Sequence, residues 1–111
     1  MSFEERITLV TVSFRSKSSL EKLLKNVSND YEIIIVDNSQ DLETAKEFSN
    51  KPHLKILSPK RNLGFGAACN LGAKASSRDY LFFVNPDCIL KEKTIEKLYQ
   101  ASQKYKNASA F

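Results

Sequence analysis

The sequence contains no tryptophan, one histidine, two cysteines, three glycines and three prolines. Each scarcity closes off a class of protein. With His53 as the lone imidazole, a zinc site lacks ligands, and a cysteine–histidine nucleophile pair would hang on one loop residue. Cys69 and Cys88 are far apart, with no CxxC spacing, so they read as reduced, partly buried thiols of a cytoplasmic protein. So little glycine and proline leaves no low-complexity tract, linker or internal repeat. No apolar run approaches the roughly 20 residues that span a bilayer. Met1 to Arg6 is mixed in charge and lacks the basic start and apolar stretch of a secretion signal.

What remains is ordinary for one globular domain: 111 residues, 41% hydrophobic and 27% charged. The net charge of +4 suits a polyanionic ligand such as a sugar nucleotide, or the face of an acidic membrane. A solvated lysine-rich surface accounts for it equally. Nothing points to nucleic acid.

Strand-like and helix-like segments alternate along the chain. Ile7–Phe14 is rich in β-branched residues and predicts a first strand. A helix begins at Ser18, with Glu21 as its capping-box partner and Leu20, Leu23, Leu24 and Val27 as one apolar stripe. Asn29-Asp30 breaks it. Glu32–Val36 is nearly all apolar, as in a parallel strand covered on both faces, and ends at the turn-formers Asp37-Asn38-Ser39. A weaker helix spans Asp41–Ser49, with Leu42, Ala45 and Phe48 turned inward, and stops at Asn50-Lys51-Pro52. Leu54–Leu57 is a short third strand. Arg61–Gly66 is a loop, and the small residues of Ala67–Ala75 predict a helix pressed closely on its neighbours. Tyr80–Val84 is a fourth strand ending at Asn85-Pro86-Asp87. Lys91–Lys106 is a last amphipathic helix, with Ile95, Leu98 and Tyr99 inward.

This β-α-β-α-β-α-β-α order predicts an α/β fold, a mostly parallel sheet of order 3-2-1-4 with helices on both faces. Ligands of such sheets bind beyond the carboxyl ends of the strands. Those ends carry Ser13-Phe14-Arg15, Asp37-Asn38-Ser39, Pro59–Asn62 and Asn85-Pro86-Asp87. Two carboxylates, an aromatic ring and basic groups on one rim describe a site for a base, a sugar and phosphates, bridged by a hard divalent cation. Other nucleotide motifs fail. No Gly-Lys-Ser/Thr follows a glycine-rich stretch, and Gly64-Phe65-Gly66 follows the third strand rather than the first. A phospho-receiver would need acidic residues after the first strand, where Ser13-Phe14-Arg15 stands.

Val12-Ser13-Phe14, then Ile34–Ser39, then Arg61-Asn62-Leu63-Gly64-Phe65-Gly66 running on through Asn70 to Gly72, then Leu81–Asp87, together resemble the family 2 glycosyltransferases. The match is nearest to rhamnosyltransferase-like members, which favour Asn-Pro-Asp over Asp-x-Asp. The resemblance spans about residues 6 to 106 and implies the GT-A fold. It implies that Asp37 accepts the N3–H of uracil or thymine, with Phe14 flanking the base. It implies that Asp87 holds Mg²⁺ or Mn²⁺ against the diphosphate, with the uncharged Asn85 beside it near the ribose. Arg61 and Asn62 then approach the sugar and phosphates, and Gly64 and Gly66 let backbone pass close to the ligand. Asn70 and Gly72 are expected to serve packing and polar anchoring, and Cys69 stands where many relatives carry arginine.

Each position also has a purely structural reading: Asp37 as a helix-capping turn, Asn85–Asp87 as a turn, Arg61–Gly66 as a strand-to-helix connection with Arg61 solvated. In the family the general base lies well beyond the metal motif. No catalytic residue is assigned after Lys91, and Glu92 and Glu96 sit on a helix behind the rim. The chain therefore reads as the donor-binding half of an inverting transferase, ending before the rest of the catalytic domain. The expected donor is a dTDP- or UDP-sugar, with rhamnose a candidate, and the expected acceptor a glycan or lipid-linked acceptor. The expected place is the cytoplasm or the inner membrane surface, and self-association through an uncovered flank near Tyr80–Val84 is expected. A non-catalytic nucleotide-sugar-binding module and a structural α/β interaction domain are the alternatives.

Overall fold

The computed structural model describes residues 2–40, 42–48, 51–88, 90–91 and 93–105, without the side chains of 42–44. A single 3-10 turn (Glu4–Arg6) leads into β1 (Ile7–Ser13), α1 (Lys17–Lys25), β2 (Glu32–Asp37), α2 (Leu42–Phe48), β3 (Leu54–Leu57), α3 (Phe65–Ala75), β4 (Tyr80–Phe83) and α4 (Thr94–Lys104). The four strands form one parallel sheet of order β3-β2-β1-β4, as the alternation of elements predicts. Chain order reverses between β1 and β4, which makes the carboxyl end of β1 the switch point of the sheet.

The strands alternate between two layers. Ile7, Leu9, Ile33, Ile35 and Leu54 pack with Leu20 of α1, Phe48 of α2 and Ile95 of α4. Val10, Ile34 and Val36 face the other way, against Ala68, Leu71 and Ala75 of α3. Burial of all six β2 residues follows from this double cover. Close packing of α3 depends on Gly72, where an added Cβ would come within 2.5 Å of Val10 Cγ1 and 3.3 Å of Val36 Cγ2. Beside α3, the cover gives out. Leu81 and Phe83, in register with Thr8 and Val10, are 42% and 48% exposed on edge strand β4.

Several boundaries differ from the sequence reading. The cap of α1 is Ser16, not Ser18, and it makes no side-chain capping bond; its hydroxyl instead donates to Phe14 O at 3.0 Å. The helix ends at Lys25, ahead of Asn29-Asp30. α3 starts at Phe65 because Gly64, at φ +78°, takes the cap position, so Gly66 lies inside the helix rather than in the loop. α4 starts at Thr94, after Lys93 in the left-handed region at φ +69°. Ile95 is buried in the core and Tyr99 is half-buried against it, while Leu98, equally half-buried, is not among the described residues packed on that core. Cys69 is half-buried and Cys88 is exposed, both free thiols. The expected ends at Asp41, Ser49, Asn50 and Lys106, and Glu92, lie outside the described residues.

The amino end of the sheet is closed by polar chemistry. Glu32 accepts hydrogen bonds from Thr8 Oγ1 (2.8 Å), Ser77 N (2.9 Å) and Ser77 Oγ (2.7 Å), and pairs with Lys55 Nζ at 3.2 Å. Burial alone would raise its pKa, but these donors override it and hold the carboxyl at about 2. Arg78 Nη1 donates to the carbonyls of Glu4, Ile7 and Asp30, tying the N-terminal turn to the loop before β2. No helix among the described residues is long and apolar enough to cross a membrane.

Candidate functional site

Parallel strands bring all their exits to one end, and the predicted site residues fall there. Ser13, the last residue of β1, stands opposite Asp37, the last residue of β2. On the other flank of β1, β4 leads to Asn85, Pro86 and Asp87. Asp37 and Asp87 therefore flank the exit of β1 from opposite sides, and Phe14 follows that exit directly. Phe14 is 53% exposed, with the Arg15 guanidinium 5.5 Å from its ring centroid. Arg15 adopts a left-handed backbone at φ +53°, an uncommon state for a side-chain-bearing residue and one that clusters at functional turns.

Asp37 is fully buried. Its Oδ1 accepts hydrogen bonds from Ser39 N at 3.0 Å and Ser39 Oγ at 2.6 Å. This is the turn-forming role open to any aspartate after a strand, and it fixes the carboxylate at the rim. Two neighbouring hydroxyls on β1, Thr11 Oγ1 and Ser13 Oγ, are buried without a hydrogen-bond partner among the described residues.

The β3–α3 connection is held as a turn. Asn62 Oδ1 accepts from Gly64 N at 2.8 Å, so its side chain shapes the loop. Arg61 is exposed, with no hydrogen bond or ion pair among the described residues. Glycine is required at 64 by its positive φ, but at Gly66 an added Cβ meets nothing within 4 Å. Asn70 is exposed on α3 and anchors nothing among the described residues, whereas Gly72 is the packing residue expected. After β4, Cys88 N donates to Asn85 O at 3.0 Å, closing a turn that leaves both Asn85 and Asp87 exposed.

The donors available to a cation at this rim are the Asp87 carboxylate and the Asn85 amide oxygen, both hard. No group of three or more metal-ligating side chains occurs among the described residues. That set fits a cation taking one protein carboxylate and most of its ligands from phosphate and water, as Mg²⁺ and Mn²⁺ do. It does not fit a self-contained metal cage. A separate cleft of about 330 Å³, lined by Phe3, Tyr31, Leu90 and Ile95, lies toward the amino end of β2, away from these residues. Glu96 borders it, and after burial the charges of Glu4 and Glu96 help push Tyr31 up to about 12. Glu96 is thus placed behind the rim, as expected.

Two organising residues escape the sequence reading. Asn38 is 3% exposed and bonds across to the β3–α3 loop: Nδ2 donates to Gly64 O at 3.1 Å, and Oδ1 accepts from Leu63 N at 3.2 Å. Gln40, left-handed at φ +57°, donates through Nε2 to Asn38 O and Pro59 O. Asparagine after a strand reads as a turn-former, and partners some 25 positions away leave no local signal.

Known structures share this fold. The chain superposes on the crystal structure of Staphylococcus aureus TarS 1-349 with a TM-score of 0.73 at 20% identity, covering 91% of this chain and 33% of that one. It superposes on the mannosyltransferase PcManGT of Pyrobaculum calidifontis, solved with GDP-Man and Mn²⁺, with a TM-score of 0.75 at 14% identity, covering 87% and 32%. Among curated proteins, it is 29% identical over 107 residues to the poly(ribitol-phosphate) β-N-acetylglucosaminyltransferase TarP of S. aureus, covering 86% of this chain and 32% of TarP. It is 30% identical over 112 residues to glycosyltransferase GlyA of Streptococcus pneumoniae, covering 95% of this chain and 16% of GlyA. The chain thus spans at most about a third of these relatives. The family model for glycosyl transferase family 2 matches residues 8–111, from β1 through the rim turns to the last residue, and the chain belongs to that family.

Proposed function

We propose that the chain forms the donor-binding part of a glycosyltransferase that passes a sugar from a UDP- or dTDP-sugar to a glycan or lipid-linked acceptor, inverting the anomeric carbon by direct displacement. The observation that carries this reading is the placement of Asp37 and Asp87 on either side of the β1 exit, with exposed Phe14 between them. In this reading one carboxylate meets a ring N–H and the other the diphosphate. Phe14 then covers the base, Asp37 accepts the imide N–H, and Asn85 bonds the ribose. Arg61, beside Asn62 and Gly64, offers a cation to the sugar phosphates. Asp87, with Asn85, would hold Mg²⁺ or Mn²⁺, which when bound neutralises charge on the departing diphosphate. The Asn-Pro-Asp turn favours rhamnosyltransferase-like relatives, and rhamnose is the first sugar to test. Action at the cytoplasmic membrane surface suits the basic charge. The exposed Leu81 and Phe83 favour self-association, which sedimentation of Phe83→Lys should reduce.

The test is a nucleotide panel by calorimetry, with and without Mn²⁺. UDP and dTDP should bind better than CDP by roughly 10- to 100-fold, since a hydrogen bond to a charged group contributes about 1.5–3 kcal/mol. Asp37→Ala should erase that preference. Asp87→Ala should keep the preference and remove the Mn²⁺ dependence. Equal affinity for UDP and CDP sinks the role of Asp37, and metal-independent binding unchanged by Asp87→Ala sinks that of Asp87. GDP belongs in the panel, because guanine also presents a ring N–H.

A further inference from the structure

We infer that Asn38 is a positioning residue that locks the β3–α3 loop to the base side of the site, so that one buried amide sets where the diphosphate side stands relative to the base. The inference rests on the donor-site reading above. Both ends of the Asn38 side chain are engaged, the amide donor with Gly64 O at 3.1 Å and the amide oxygen with Leu63 N at 3.2 Å. The two partners fix the amide orientation, since the flipped form would face N–H to N–H and oxygen to oxygen. The Asn38 backbone is held in turn, its N–H donating to Ser13 O at 2.8 Å and its carbonyl accepting from Gln40 Nε2 at 2.9 Å.

The exits of β1 and β2 and the approach to α3 therefore meet at one residue. The clamped atoms belong to Leu63 and Gly64, immediately after Arg61 and Asn62 and at the cap of α3. Gly64 is held at φ +78°, a state glycine visits without penalty but does not prefer. Without the clamp, Gly64 keeps its bonds to Asn62 Oδ1 and Ala68 N but loses its direct tie to the β2 exit, so Arg61, Asn62 and the start of α3 can shift relative to that exit. Ordering them on ligand binding would then weaken affinity. Asp37, one residue before Asn38, is fixed independently through Ser39, so the clamp acts on the loop and not on the base contact.

The test compares uridine, which engages the base side alone, with UDP, which adds the diphosphate, on the full chain and two variants. Amide exchange at Leu63 is followed in each. Asn38→Ala removes both clamp bonds and should speed exchange at Leu63. Uridine affinity should stay within about twofold, while UDP affinity falls about tenfold or more. Asn38→Asp keeps the acceptor for Leu63 but sets a carboxylate oxygen against Gly64 O, so Leu63 should stay protected while UDP affinity falls at least as far as in Asn38→Ala. It also serves if Asn38→Ala does not fold. Equal losses of uridine and UDP would mark a general structural role and overturn the inference, as would an unchanged UDP advantage in both variants. Unchanged exchange at Leu63 in Asn38→Ala would remove the clamp itself. Failure of the unmutated chain to bind either ligand is a different result: it overturns the donor-site reading, and the inference with it.

Discussion

The second strand begins and ends on an acid, and the two acids are treated in opposite ways. Glu32, at the amino end, is met by two hydroxyls, a backbone N–H and an ammonium, and the hydroxyl of Thr8 is itself completed by Ser76 Oγ at 2.7 Å. Asp37, at the carboxyl end, is turned into the rim by Ser39, next to two β1 hydroxyls without partners among the described residues. Left-handed residues gather at this second end: Arg15, Gln40 and Gly64. So do the exposed rings of Phe14 and Phe65, 53% and 62% open. One end of the sheet uses its polarity to hold the fold. The other uses its bonds to hold loops, keeps Asp37 and two hydroxyls buried beneath the rim, and leaves Arg61, Asn85 and Asp87 exposed beside them. A closed polar network adds stability, and an open one is where a ligand can complete the bonding.

The largest effect should come from the closed end. The Glu32 carboxyl lies at about 2 in the folded chain against an ordinary value of 4.5, and at 1.36 kcal/mol per unit that difference is worth about 3 kcal/mol. The folded pKa is depressed, so the contribution is fully present above the unfolded value. It is lost as pH falls from about 4.5 toward 2. Glu32→Gln should therefore lower unfolding free energy by about 2–3 kcal/mol at pH 7, measured by urea titration. The gap from the parent should close as pH drops through that window. A gap that stays constant from pH 7 to pH 3 would mean that the charge of Glu32 is not what the network recognises. Base preference among nucleotides should be untouched, because Glu32 lies at the opposite end of β2 from Asp37.

The sequence makes the frame legible and the joints much less so. β3 is found at its four observed residues, and β2 as a continuous apolar run, because burial on both faces leaves an unmistakable pattern. Helix starts escape the pattern wherever a left-handed residue intervenes. Lys93 delays α4, and Gly64 advances α3, because φ at a single residue is decided by the loop geometry around it. At α1, Ser18 carries the capping-box pattern with Glu21, yet the chain starts the helix from Ser16, without forming a capping bond. The rim residues are found because topology alone collects strand exits. Asn38 is not, since its partners come from a loop far along the chain. Polar pairing across such separations is a property of the fold and leaves no periodicity.

The next effect in size tests the packing that joins the two ends. α3 runs from the rim, where Gly64 caps it, toward the Glu32 network, where Lys55 Nζ also donates to Ala75 O at 3.4 Å. Midway, Gly72→Ala would bring a methyl within 2.5 Å of Val10 Cγ1. Val10 is 1% exposed and boxed in by Ala68 and Val36, so it has little room to yield. Overpacking of this kind typically costs about 1–3 kcal/mol. Gly72→Ala should fall in that range by denaturant titration, and a neutral result would place α3 farther from the sheet than it stands here.

The smallest effect has the opposite sign and comes from the other glycine of the same helix. Gly66 lies in the first turn of α3, exposed, with a normal helical backbone and nothing within 4 Å of an added methyl. Glycine there costs backbone entropy without relieving any clash. Gly66→Ala should stabilise the chain by roughly 0.5 kcal/mol, below the full glycine-to-alanine difference because first-turn positions are only partly constrained. Loss of stability would mean that residue 66 is not helical, and that the connection after β3 extends past Gly64 as the sequence alone indicates. Binding gives the same substitution a second reading. If backbone at Gly66 approaches the ligand, as the family resemblance implies, the added methyl should weaken UDP binding while leaving uridine alone. A more stable variant with reduced UDP affinity would set the two glycines of α3 apart: glycine at 72 is required by the fold, and glycine at 66 by the ligand.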